Sequence, residues 1–452
     1  MHTSPIPAWS GPLDVPAFAM DAVRQAASAA GRLARARGLD ISVDTTPSLV
    51  AGSFAAIDHL RIDGRPVGAW GELSGFFAAD DGWVRLHGNY PHHQAAIRRA
   101  LGAEDRDGAA AAIRRLPAVD AAERLLAEGG IATPVRTAED WAAHPQARAM
   151  HDVPWRRIDV GEEREDPPVG RMIRPVGRAA PLPLEGVRVL DLTRVVAGPM
   201  ATQLLGCLGA DVLRIDPPHR PELRDAYLAS GMGKRSVELD LSASREVLES
   251  LLRSADVIVL GYRPGSLARF GLAPDDLRGR FDHLVIGALS AWGEVGPWGE
   301  RAGFDSIVQA ATGIADVYGS GGADGGSDPV HGVPLDRKPG ALPVQALDHA
   351  TGNVLAAGIL GLLADGRGGV VRASLLGAAR ELMERPTAPD DPHQPGPADS
   401  GPTDPDPIEP VATLEQATPY GRICRVPAPL RLDGIPLTGA ITQYAAAAPA
   451  WR

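Results

Sequence analysis

Between Val187 and Leu289 the chain alternates short unbroken apolar runs with stretches in which apolar residues return at helical spacing. Val187, Val189, Leu190 and Leu192 make the first run, the pattern of a parallel strand buried on both faces. Thr193 and Arg194 end it. Ala197 and Gly198 permit a close turn, and Pro199 suits a first helical position. Leu204, Leu205 and Leu208 mark an apolar helix face that Gly209 stops, and Ala210–Ile215 predicts the next strand. Val237–Leu241, Val257–Leu260 and His283–Leu289 predict further strands, with helices at Ala243–Ser254, Phe304–Thr312 and Asp348–Leu363. The alternation predicts an α/β fold: a Rossmann-like, mostly parallel sheet with helices on both faces.

The chain ahead of this block predicts a smaller, mainly helical α+β domain. Asp21–Arg37 reads as an Ala/Arg-rich helix and Trp83–His87 as a short strand. Ala95–Leu101, Ala109–Leu116 and Ala121–Glu128 read as small amphipathic helices. The expected division is a small domain at 1–160, a charged, proline-marked linker at 161–184 and the sheet domain at 185–385. A Pro/Asp-rich linker at 386–412 is expected to be disordered, and a tail at 413–452 to pack back on the large domain.

Composition narrows the function. A formal net charge of -11 argues against a nucleic-acid partner, which needs a basic face. The two cysteines, Cys207 and Cys424, make neither a disulfide framework nor a metal site. No metal is expected, and no tightly bound cofactor. The first strand is followed by no G-x-G-x-x-G, which weakens an ordinary dinucleotide reading, although free N–H groups at the helix start can hold an anion. Val354–Ala364 is too short to span a bilayer and predicts a core helix, and MHTSPIPAWSGP lacks the pattern of a secretion signal. A cytoplasmic protein without a membrane partner is expected.

Six motifs occur in order: VRVLDLTRVVAGPMATQLLGCLGADVLRID, GKRSVELDL, ADVIVLGYRPGSLARFGL, SAWGEVGPWGERAGFD, LDHATGNVLAAGILGLL and GVVRASLLGAA. Together, over Leu184 to about Ala379, the chain resembles the family III CoA-transferases (the CaiB/BaiF family). The resemblance implies an enzyme that moves CoA from an acyl-CoA thioester to a carboxylic acid, with CoA as substrate. It implies Asp348 as the nucleophile, forming an anhydride and then an enzyme-bound thioester. From the residue alone, an aspartate at a helix start reads first as an N-cap. The resemblance also implies CoA contacts at Val195, Val196, Ala197, Gly261, Tyr262 and Arg269, with Lys234 and Arg235 adding positive potential. A homodimer is implied as well. On this reading Asp348 stands bare at the floor of a crevice that admits the thioester.

Departures from the family pattern keep two alternatives open. Val196 stands where formyl-CoA transferase has a glutamine, and Gly261 where an asparagine is common. Phe304 occupies the place of the racemase branch's histidine, and Asp305 after it is expected to cap its own helix. DGWVRLHGNYPHHQAAIRRALG and GGIATPVRTAEDWAAHPQARAM resemble the family's second domain but stand ahead of the sheet block. The alternatives are an acyl-CoA racemase or isomerase of the same fold, and a non-catalytic CoA-binding relative. The Gly319–Gly326 run is a candidate shielding loop or a plain solvent loop, and His349 a candidate to tune Asp348.

Overall fold

The computed structural model describes residues 3–4, 9–163, 181–320, 335–387 and 409–452. Helix α1 (Val15–Ala36) begins ahead of the expected Asp21, because Asp14 caps it, accepting from the Ala17 N–H at 3.0 Å, and a proline stands in its first turn. Its buried face, Ala19, Ala22, Ala26 and Ala30, carries so little side chain that α1 lies along the long central helix of the molecule. This helix therefore belongs to the large core, and the expected small domain at 1–160 is too long. A separate apolar cluster, from Leu73 to Ala132, defines the small unit.

That unit is a three-stranded antiparallel sheet of β1 (Gly75–Ala78), β2 (Trp83–Leu86) and β3 (Ala132–Pro134). Three helices pack on it: α2 (Pro91–Leu101), α3 (Arg106–Ile113) and α4 (Ala118–Ala127). Each begins before its predicted start, α2 because Pro91 opens the helix ahead of its first apolar residue.

The next strand, β4 (Arg156–Glu163), crosses the expected boundary at 160 and joins the large sheet. Of the rest of the expected linker, 164–180 lie outside the described residues, and Leu184 is buried in the large core. Then follow β5 (Arg188–Leu192), α5 (Ala197–Cys207), β6 (Asp211–Asp216), β7 (Lys234–Glu238), α6 (Arg245–Ser254), β8 (Val257–Leu260) and β9 (Val285–Ser290). The block closes with α7 (Asp305–Ala311), α8 (Ala346–Ala364), β10 (Arg367–Ser374) and α9 (Leu375–Met383). The seven strands lie in the order β7-β6-β5-β8-β9-β10-β4, all parallel except the edge strand β4.

Alternate strand residues feed two cores. Val189, Val212, Val257 and Val285 pack with α1, α5 and α8 on one face. Leu190, Leu213, Ile258 and Ile286 pack with α6 on the other, so the sheet is covered on both sides as the apolar runs predict. Among the described residues α8 is the one helix long and apolar enough to cross a membrane, and 94% of its most apolar window is buried inside the fold. The tail hairpin, Leu414–Thr418 with Gly421–Arg425, pairs with Arg61–Ile62. The end of the tail meets the large sheet, where the Ala447 N–H donates to Ser236 O at 2.9 Å. Residues 388–408 of the expected Pro/Asp-rich linker lie outside the described residues.

The strand order places the site. From β5 the chain moves outward to β6 and β7, then returns to lay β8 on the other side of β5. Connections therefore diverge between the carboxyl ends of β5 and β8, which opens the crevice where such sheets bind ligands.

Candidate active site

Two loops leave the sheet at that divergence: Thr193–Val196 after β5, and Gly261–Tyr262 after β8. Gly261 is tied across the gap by its N–H to Leu192 O at 3.1 Å. Val195 sits at φ 58°, a left-handed conformation that costs a β-branched residue strain of about 1–3 kcal/mol. Glu222 holds it there, accepting the Val195 N–H at 3.0 Å. The same carboxylate accepts from the Tyr90 hydroxyl at 2.6 Å, from the Leu223 N–H at 2.9 Å and from Arg214 at 2.9 Å. Arg214 in turn grips Asp216 with a two-point fork at 2.7 and 2.8 Å. Burial alone would push Glu222 up, but Arg214 and Arg194 outweigh it and hold the acid at about 2. A fixed negative charge thus braces the turn after β5, and Tyr90 ties the small unit to it. The sequence does not show this bracing: Val195 and Arg214 lie within the first motif, but Tyr90 and Glu222 lie outside the six motifs and no residue pattern joins the four.

Ala197 follows that turn and opens α5. Its backbone amide lies near the carboxyl of Asp348, in the first turn of α8, and favours that acid's ionised form. The two helices meet there because residue 352 is glycine: a Cβ on Gly352 would lie 2.4 Å from the Ala197 carbonyl oxygen. Asp348 is not the N-cap of α8. Gln345 occupies that position without a side-chain cap, and the free N–H groups of Leu347 and Asp348 are instead taken by Asp305, at 2.9 Å from Asp348 N. Asp305 was expected to cap its own helix. It caps α8 instead, because the start of α7 abuts the start of α8, and Gln309 one turn on donates to its other oxygen.

Asp348 is only 8% exposed, packed among the starts of three helices. The expectation of a bare carboxylate at a crevice floor is therefore corrected. In this closed arrangement the acid is enclosed between the starts of α5, α7 and α8. Burial and the neighbouring Asp305 push its pKa well up, against the Ala197 amide. Asp305 collects donors from Leu347, Asp348 and Gln309, which favour ionisation there over ionisation of Asp348.

The other expected contact residues divide. Val195, Val196, Ala197, Gly261 and Tyr262 lie together at the strand ends, with Tyr262 half-buried near Arg194 and its phenol pushed up by burial. Arg269 is exposed, its guanidinium 4.7 Å from the Phe270 ring centroid. Lys234 and Arg235 are at the wrong end: both open β7, at the amino edge of the sheet. Lys234 is 1% exposed and donates to Pro199 O, Thr202 Oγ1 and Asp191 Oδ2 at 2.8, 2.9 and 3.1 Å, and burial pushes it down to about 8. Arg235 pairs with Asp211 at 2.8 Å and donates to Ala450 O at 2.9 Å. Both are corrected to structural roles. His349 stacks on Phe54 with centroids 5.0 Å apart, facing away from Asp348. Residues 321–326 of the glycine run lie outside the described residues.

The sequence profile described as CoA-transferase family III matches residues 184–415. The chain is 34% identical over 242 residues to the probable fatty acyl-CoA transferase Rv3272 of Mycobacterium tuberculosis, covering 48% of this chain and 58% of that one. It is 31% identical over 212 residues to human succinyl-CoA:glutarate CoA-transferase, covering 43% of this chain and 45% of that one. Formyl-CoA:oxalate CoA-transferase of Streptomyces coelicolor is 34% identical over 193 residues, with 40% and 43% covered. The crystal structure of Rv3272 is 34% identical over 45% of this chain and 56% of its own, with a TM-score of 0.38. The chain spans about half the length of the curated relatives it matches.

Proposed function

The chain belongs to CoA-transferase family III, and we propose that it moves CoA from an acyl-CoA thioester to a carboxylic acid with Asp348 as covalent nucleophile. The observation that carries this reading is the close packing of the starts of α8, which carries Asp348, and of α5 at the divergence of β5 and β8. A ligand bound at that divergence lies against the same turn.

In the proposed cycle, deprotonated Asp348 attacks the acyl carbonyl carbon and the C–S bond breaks, leaving an acyl-aspartyl anhydride and CoA thiolate. The thiolate attacks the aspartyl carbonyl and releases the donor acid as its carboxylate. The acceptor carboxylate then attacks the aspartyl thioester, and the freed thiolate takes the acceptor acyl group from the second anhydride. Atoms and charge balance, and Asp348 is regenerated. The Ala197 N–H is placed to hold charge that develops on the aspartyl oxygen. Val195, Val196, Ala197, Gly261, Tyr262 and Arg269 are the proposed CoA contacts. The small unit is the proposed counterpart of the family's second domain, and a cytoplasmic homodimer belongs to the same proposal.

Intact-mass spectrometry of the chain with a panel of acyl-CoAs tests it. A hydroxylamine-sensitive adduct mapping to Asp348 is expected, and Asp348→Asn abolishes it while lowering kcat by about 10³-fold or more. An adduct elsewhere, or turnover retained in D348N, overturns the assignment. The enclosure of Asp348 favours a second reading, a relative that binds CoA without reacting, for which CoA binds and no adduct forms.

A further inference from the structure

Beneath the two loops at the divergence lies a buried charged cluster that the proposed cycle does not use. Asp191, on β5, is fully buried. One of its oxygens accepts from both the N–H, at 3.1 Å, and the hydroxyl of Thr193, the first residue after the strand. The other accepts from the Thr202 hydroxyl on α5 at 2.6 Å and from the Lys234 ammonium at 3.1 Å. Thr193, fixed in this way, packs against both the start of α5 and the loop after β8. A Cβ on Gly198 would lie 2.5 Å from the Thr193 Cβ, and one on Gly261 would lie 3.0 Å from it. One carboxylate therefore sets where the two loops and α5 stand relative to one another.

Lys234 reaches this cluster from β7. The three N–H groups of its ammonium meet three acceptors, Asp191 Oδ2, Thr202 Oγ1 and Pro199 O, the last two on α5. A neutral amine has two N–H groups, so loss of the proton strands one acceptor and weakens the bond to Asp191. Arg214, the other cation near Asp191, is committed to Asp216 and Glu222. The surroundings bring that proton loss close to neutrality. Burial pushes Lys234 down to about 8, with Asp191 and Asp216 opposing the push and Arg214 adding to it. The α5 side presents Thr202 and the tail presents Thr442, neither of which titrates.

We propose that Lys234 is a positioning residue for CoA binding: its protonated form, through Asp191 and Thr193, holds the two loops at the β5–β8 divergence in the spacing that accepts the ligand. The proposal rests on reading those loops as the CoA site and not on the covalent step at Asp348. It makes ligand affinity depend on a proton carried by a side chain sealed beneath the loops. The fold does not share that dependence. A lysine whose value drops from 10.5 to about 8 on folding holds fewer protons folded than unfolded between those values. Its contribution to stability therefore grows as pH rises through that window.

Calorimetric titration of the full chain with desulfo-CoA, which has no thiol to titrate, tests this across pH, with denaturant unfolding measured at each pH. Affinity is expected to weaken about fivefold or more between pH 7 and 9, around a midpoint near 8, while the unfolding free energy does not drop in step. Thr202→Val removes one of the ammonium's three acceptors and moves the midpoint to lower pH. Lys234→Met alone strands a buried carboxylate, so the neutral pair D191N/K234M is the second comparison; it binds about threefold or more weakly at pH 7 and shows no further weakening near pH 8. A flat affinity from pH 7 to 9 in the unaltered chain, a midpoint unmoved in T202V, a weakening that persists in folded D191N/K234M, or stability that drops in step with affinity overturns the assignment. A missing acyl adduct with this pH profile intact removes the covalent step alone, whereas no binding at any pH overturns the CoA site and this proposal together.

Discussion

As the proposed nucleophile, Asp348 meets two demands that pull in opposite directions. A carboxylate attacks a thioester only when ionised, and a desolvated carboxylate is the more reactive for having lost its water. Here burial and the charge of Asp305 raise its pKa, so the reactive form appears only as pH rises through that raised value. Below it, the proton blocks attack. Transfer activity therefore falls on the acid side at a pH well above the ~4 of an ordinary aspartate. A kcat/KM profile across pH measures this directly. An acid limb near pH 4 would mean that the nucleophile is a solvated carboxylate, contrary to the enclosure seen here.

At the level of elements, the site is the meeting of three helix starts, and Gly352 sets how closely two of them approach. Gly352→Ala would place a methyl 2.4 Å from the Ala197 carbonyl oxygen, so α8 must retreat from α5. The expected cost is about 1–3 kcal/mol in denaturant unfolding. Because the retreat separates Asp348 from the Ala197 N–H, kcat should fall more than KM rises; a stable variant with unchanged kcat would show that this contact has no part in the chemistry. The strands and helices of the sheet block were legible because each carries its own period: Val257–Leu260 is predicted and found with the same limits. Lys234 was not. A lysine at a strand start reads as solvated, and its enclosure depends on Asp191, 43 positions away on a neighbouring element. Asp348 became a candidate nucleophile through resemblance alone, since a first-turn aspartate reads as a cap. Only the packing shows that the cap is Asp305 and that the Asp348 carboxyl is directed to another helix.

Across the whole molecule, the question is how a thioester reaches an enclosed acid. The small unit holds its own apolar cluster, so it can shift without exposing that core. It meets the sheet unit near the site through a small apolar cluster, Phe76, Trp83 and Val135 with Ala310 and Ala315, and through specific contacts. His87 stacks on Phe304 with centroids 3.7 Å apart, next to Asp305; Tyr90 donates to Glu222; and the Arg136 N–H donates to Ala310 O. Helix α1, by contrast, is locked along α8 in the large core. If entry to Asp348 comes by displacement of the small unit, CoA should alter amide hydrogen exchange at 85–93, 303–310 and 342–350, and leave 15–36 unchanged. Exchange–mass spectrometry of the full chain with and without CoA reads all four segments in one experiment. Altered protection confined to the loops at 195–197 and 261–262 would place the opening within the sheet unit, and the small unit would then be a fixed wall of the site rather than its door.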